Sequence, residues 1–198
     1  MKLATRPYAQ RARAEATRAT HTRIMDALVT LVLDRGTTAV PLADVAAEAA
    51  VTVPTVLRHF GTRAALFAAT FEYAQREVLT DRPAPVDDVV AAVDGVVDHY
   101  EARGRGMLTL LANEARDEAV ARITAAGRAQ HRDWVTTVFG RSLDARSGTD
   151  REALTDLLVV ATDLQTWHLL RDDRGLTRDE TADRILRLVR AVLSAGTP

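Results

Sequence analysis

Between positions 52 and 63 the chain gathers Thr52, Thr55, Arg58, His59 and Arg63, a set of hydroxyl, guanidinium and imidazole groups around the apolar Val53 and Leu57. No Gly-rich phosphate loop or nucleophile elbow surrounds them, so the set does not read as catalytic. It suits binding instead. Threonine hydroxyls reach base edges or phosphate oxygens, Arg58 pairs with guanine or with a phosphate, and Val53 and Leu57 fit thymine methyl groups. The residue types alone do not choose among these contacts. Elsewhere the chemistry is sparse. His21, His59, His99, His131 and His168 each stand alone, without the Glu-x-x-His pairs of a di-metal bundle. Asp94 and Asp98 lie one helical turn apart, a spacing that usually marks a solvated face. The chain has no cysteine, hence no disulfide or thiolate zinc site. An enzyme is not expected, nor a metal or cofactor.

The elements that must carry the binding set run from Gly36 to Phe67. Leu42, Val45, Ala46 and Ala49 recur at helical spacing, Ala50-Val51 breaks the period, and Val53, Val56, Leu57 and Phe60 start a shorter one. Thr52 stands where the second helix needs an oxygen to cap its free amides, and Pro54 falls within the first turn, where a missing N–H costs little. Ala46 and Ala47 are small enough for two helices to cross closely. A helix, a tight corner and a helix of these lengths form a helix-turn-helix, whose second helix enters the major groove of DNA. Ile24, Leu28, Leu31 and Val32 predict a packing helix from about Thr20 to Gly36. After Gly61, Thr62 is a good cap for a helix through Leu66, Phe67, Thr70, Phe71 and Val78. Arg63 at its start makes a phosphate clamp beside the orphan amides.

The stretch VAAEAAVTVPTVLRHFGTRAALF, from Val45 to Phe67, resembles the TetR-type transcriptional regulators almost position for position, and the likeness extends more loosely from Thr22 to Phe71. By that resemblance Thr52, Val53, Thr55, Leu57, Arg58 and His59 take the recognition-helix positions that face DNA. Arg63 takes the position, usually Lys, that meets a phosphate. The chain departs from the family pattern at Ala50, where Gly is usual, at Leu57, where Tyr is usual, and at the apolar Val53. The resemblance implies an all-α protein: an N-terminal three-helix helix-turn-helix domain followed by a larger helical ligand-binding and dimerisation domain. It also implies operator DNA as a partner and an inducer cavity for a small-molecule effector. Met107, Leu111, Trp134 and Trp167 are its wall candidates and His99 and Tyr100 its polar tips, although aromatic groups of this kind mostly serve as core.

Charge distribution agrees. The net charge is -1, yet residues 1–67 hold 9 Lys+Arg against 5 Asp+Glu, and the remaining residues hold 17 against 22. A basic head on an acidic body fits a molecule that meets phosphate at one end. The expected division is a basic flexible arm over 1–18, the DNA-binding domain over 19–66 and the body over 67–198. In the arm, Lys2, Arg6, Arg11, Arg13 and Arg18 follow no apolar period and Pro7 discourages an early helix. The Pro-rich turn after Asp81 marks a boundary. Beyond it the pattern predicts helices from Val86 to about Arg103–Gly106, from Met107 to Asn113, from Asp117 to Leu143, from Arg151 to about Arg171, and from Thr177 to about 195, the last with a Thr177/Glu180 capping box. The last two, at about 151–171 and 177–195, look like the homodimer pair of the family. With neither a leader nor a membrane-length apolar run, a cytoplasmic protein is expected. The expected function is a dimeric repressor released from its operator by a small molecule. The alternative is a ligand-binding or scaffolding helical dimer whose DNA head has decayed.

Overall fold

The computed structural model describes residues 5–82 and 86–195, all in helices, turns and short connections. Lys2 and the Pro-rich turn at 83–85 lie outside them. The head is built from α1 (Thr5–Arg35), α2 (Leu42–Glu48), α3 (Val53–Phe60) and the start of α4 (Arg63–Asp81). Their apolar stripes meet in one buried cluster that includes Ile24, Leu28, Val45, Ala46, Ala49, Val56 and Leu66. Ala46 is buried at the crossing of α2 and α3, whereas Ala47 faces solvent.

One expectation fails at the start of the chain. The segment read as a flexible arm up to residue 18 is helical from Thr5, continuous with the packing helix that was expected only from Thr20. Pro7 sits in the first turn, where it removes no helical hydrogen bond. Ala, Arg, Gln and Glu are strong helix formers, and residues 10–19 are solvent-exposed or nearly so, which explains a helix without an apolar period.

The body contains α5 (Val89–Asn113), α6 (Glu118–Val138), α7 (Gly140–Asp144), α8 (Gly148–Ala161), α9 (Leu164–His168) and α10 (Arg178–Ala195), with a π turn over Leu169–Asp173 after α9. Several boundaries differ from the sequence reading, among them the start of α5 at Val89 rather than Val86 and that of α8 at Gly148 rather than Arg151. Helix α5 does not end at Arg103–Gly106 but runs on to Asn113. Two of its glycines serve close packing: a Cβ at Gly104 would lie 2.7 Å from the ring of Trp167, and one at Gly106 would lie 2.7 Å from Cβ of Leu33 on α1. The helix expected over 117–143 divides at Phe139 into α6 and α7.

The helix expected over 151–171 is also interrupted. Thr162 turns its hydroxyl back to the Leu158 carbonyl at 2.8 Å, and the Asp163 carboxylate accepts the Gln165 amide at 2.8 Å to cap α9 afresh. The capping box forms as expected, with Glu180 accepting from the Thr177 amide at 2.9 Å and Thr177 Oγ1 accepting from the Glu180 amide at 3.3 Å. Asp94 and Asp98 are more than a solvated pair, since they hold the Arg178 guanidinium at 3.0 and 2.7 Å and pin α10 to α5. Among the described residues no helix is long and apolar enough to cross a membrane.

Candidate nucleic-acid interface and cavity

Helix α3 is held by its own first turn. Thr52 Oγ1 accepts from the Thr55 amide at 3.4 Å and meets the Thr55 hydroxyl at 3.0 Å. The corner before it closes through the Val51 amide on the Ala46 carbonyl at 2.8 Å. Ala50 adopts φ 52 there, a left-handed conformation that costs a Cβ-bearing residue roughly 1–2 kcal/mol. The glycine habit of this position thus has a visible reason.

The seven expected interface residues divide into four groups, the last being Arg63 alone. Thr52, Leu57 and Arg58 are exposed on the outer face of α3, with Leu57 at 39 %. Val53 instead packs partly buried against the head core, so it is not freely presented. Thr55 and His59 are half-buried. His59 leans toward His21 of α1, which stacks on Phe60 with ring centres 4.2 Å apart. Desolvation, then His21 and Arg58, lower the His59 pKa, favouring a neutral imidazole.

Arg63 is already engaged. Its guanidinium donates to the Thr38 carbonyl at 2.8 Å and lies over the Phe67 ring at 4.4 Å, bracing the connection between α1 and α2. An arginine carries five N–H donors, so this brace leaves donors for a phosphate.

In the body a cavity of about 610 Å³ opens between α1, α4, α5, α6 and the start of α9. Four of the six expected wall residues line it: His99, Tyr100, Met107 and Leu111. Trp134 and Trp167 do not. Trp167 is wholly buried, packs against Gly104 and donates its indole N–H to Glu101 Oε1 at 2.9 Å. Trp134 stands behind the wall, stacked on His131 and covered by the Arg82 guanidinium, whose Cζ lies 4.7 Å from the ring centre. Packing these indoles into the core satisfies their large apolar area, which is why residue type alone misassigns them.

Sequence reasoning missed the most distinctive wall residues, Arg82 and His131. Arg82 is only 4 % exposed although it sits in a turn that reads as a solvated boundary. It donates to His131 Nδ1 at 3.1 Å and hydrogen-bonds the Tyr100 hydroxyl. Arginine has no acceptor, so Nδ1 must be unprotonated and Nε2 must carry the proton, placed toward Thr162 Oγ1 at 3.2 Å and the Val159 carbonyl at 3.4 Å. Tyr100 in turn donates to the Thr162 carbonyl at 3.1 Å. Burial and then the Arg82 charge depress the His131 pKa to about 4, and burial raises that of Tyr100. Both partners of Arg82 are neutral at pH 7.

Known proteins agree with this arrangement. Residues 24–70 match the family described as bacterial regulatory proteins, tetR family. Over 159 residues the chain is 32% identical to the HTH-type transcriptional regulator AlkX of Mycobacterium tuberculosis, covering 79% of this chain and 70% of that protein. The chain belongs to the tetR family. Solved relatives share the fold at low identity: a transcriptional regulator from Rhodococcus sp. RHA1 has a TM-score of 0.63 at 17% identity, and a TetR-like transcriptional regulator from the same source has 0.61 at 20%. Each match covers 88% of this chain and 96% of the relative. As a tetR-family member, the protein is a DNA-binding transcriptional regulator with an N-terminal helix-turn-helix and a helical C-terminal domain. These relatives are named as transcriptional regulators rather than enzymes.

Proposed function

We propose that this regulator is a homodimeric repressor that leaves its operator when a small molecule occupies the body cavity. The observation that carries this reading is the shared wall. Val29 and Leu33 of α1 and Phe71, Ala74 and Val78 of α4 line the cavity, and the same two helices build the head core through Ile24, Leu28 and Leu66. A ligand that prefers a different α1–α4 spacing therefore acts on the head directly. A coupling of about 1–3 kcal/mol weakens DNA binding roughly 5-fold to 150-fold.

Dimerisation through α8 and α10 is supported by Leu157 and Val160 on α8 and Leu188 on α10, which are large apolar side chains left 53 %, 61 % and 41 % exposed. Two heads related by a two-fold axis call for an inverted-repeat operator, contacted by Thr52, Thr55, Leu57, Arg58, His59 and Arg63. Such a regulator works where the chromosome is, in the cytoplasm.

The test is fluorescence anisotropy with duplexes from the region flanking the protein's own gene, beside sedimentation to measure assembly. The expected result is a two-chain species that retains one duplex against excess non-specific DNA. A dimer that ignores every duplex at low salt sinks the regulatory reading and leaves a scaffold with a decayed head.

A further inference from the structure

The cavity wall carries a buried cation that forms no ion pair among the described residues. Arg82 is nine-tenths buried, its Nε has no hydrogen-bond partner, and its partners on the other side, His131 and Tyr100, are both uncharged. Among the described residues no carboxylate forms an ion pair with it. Glu114 and Asp163 also line the cavity but are engaged by other groups: Glu114 accepts from Arg128 at 2.9 Å and Thr124 at 2.6 Å, and Asp163 caps α9. Removing a guanidinium from water without a counter-charge is unfavourable, and a structural role alone is served as well by an apolar side chain of similar size. Ligand sites commonly have this composition, a mostly apolar hollow of about 300–1,000 Å³ with few fixed polar groups. Here the apolar part comes from Leu33, Phe71, Met107, Leu111 and Ile123.

We propose that the cavity takes an organic acid, with one carboxylate on Arg82 and an apolar body along the α4–α5–α6 wall. This assignment rests on the ligand-responsive reading above and names its chemical class. The Arg82 fork supplies charge-assisted bonds that a neutral headgroup cannot match and an ammonium headgroup opposes. Tyr100 and His131 hold the fork in place, and the stack on Trp134 fixes its plane.

The test is titration calorimetry of the DNA-free full chain with octanoate, octanol and octylammonium, and with phenylbutyrate and its alcohol as a second body shape. Trp134 emission serves as a local reporter because Arg82 lies on its ring. The carboxylates are expected to bind at least about tenfold more tightly than the matched alcohols, as charged hydrogen bonds typically provide. Arg82→Gln should erase that preference, and Arg82→Lys should keep part of it. If Arg82→Gln does not fold, the wild-type headgroup comparison decides alone.

Equal binding of acid and alcohol, tighter binding of octylammonium, or no saturable binding of either carboxylate overturns the assignment. Operator release is measured separately. Carboxylate binding through Arg82 with DNA affinity unchanged keeps this assignment and refutes the ligand response, whereas release by another molecule with both carboxylates unbound does the reverse.

Discussion

In the head, the polar contacts that shape helix ends are short in sequence: Thr52 caps Thr55, and Thr62 Oγ1 takes the Ala65 amide at 3.0 Å. In the body, the decisive ones span long stretches, with Arg82 meeting His131 across 49 residues and Tyr100 meeting Thr162 across 62. The head is thus specified turn by turn and exposes Thr52, Leu57 and Arg58 along one short helix. The body assembles its buried polar groups only when several helices have closed around them. A distant buried network depends on packing and on protonation state.

The largest expected effect tests the buried network. His131 protonates near 4 in the folded protein and near its ordinary 6.5 once unfolded. Between these values the unfolded chain binds more protons, so stability is full above about pH 6.5 and falls as pH drops, by about 3 kcal/mol in all. Urea melts across pH 7 to 4 should record this loss, and His131→Asn should remove it. A variant with the same pH slope as wild type would assign the loss to other groups.

A smaller effect tests how the two regions join. Gly106→Ala drives a methyl group into Leu33 and should destabilise by about 1–3 kcal/mol. Gly95→Ala in the same helix meets nothing within 4 Å and should stabilise by about 0.5–1 kcal/mol. Thermal melts giving both variants the same sign would contradict the close crossing of α1 and α5.

On DNA, Arg63→Ala should weaken all duplexes alike, by about tenfold, and lower the slope of log affinity against log salt by about one unit if Arg63 neutralises a phosphate. An unchanged slope with weaker binding leaves it only the brace on Thr38. The smallest effect is Ala50→Gly, which relieves the left-handed corner and should raise stability by roughly 0.5–1 kcal/mol. Lower stability in a urea melt would mean the corner is unstrained with its methyl group.

Legibility followed the same division. Thr52, Pro54, Gly61 and Thr62 are punctuation within four residues of what they organise, and both short helices were readable from them. Gly104 and Gly106 were misread because a glycine's local meaning is a helix end, while here it admits Trp167 and Leu33 from distant parts of the chain. The interruption at Thr162-Asp163 did leave a trace, since Asp163 two residues before Gln165 is an N-cap pattern inside an apolar stretch. Arg82 left none. Its position beside prolines signals solvent, and only the closing of α5 and α6 over it makes it an interior charge.

Helix α4 begins at Arg63, beside the recognition helix, and ends at Asp81, one residue before the cavity arginine. At 1.5 Å per residue this rod is about 28 Å long, so a tilt of roughly 5° about one end displaces the other by about 2.5 Å. That stroke nearly equals the length of a hydrogen bond, and the two-fold axis of the proposed homodimer would double it between the two copies of α3. On the proposed ligand response, leverage of this kind is how a slight shift at Arg82 would reach the helix-turn-helix.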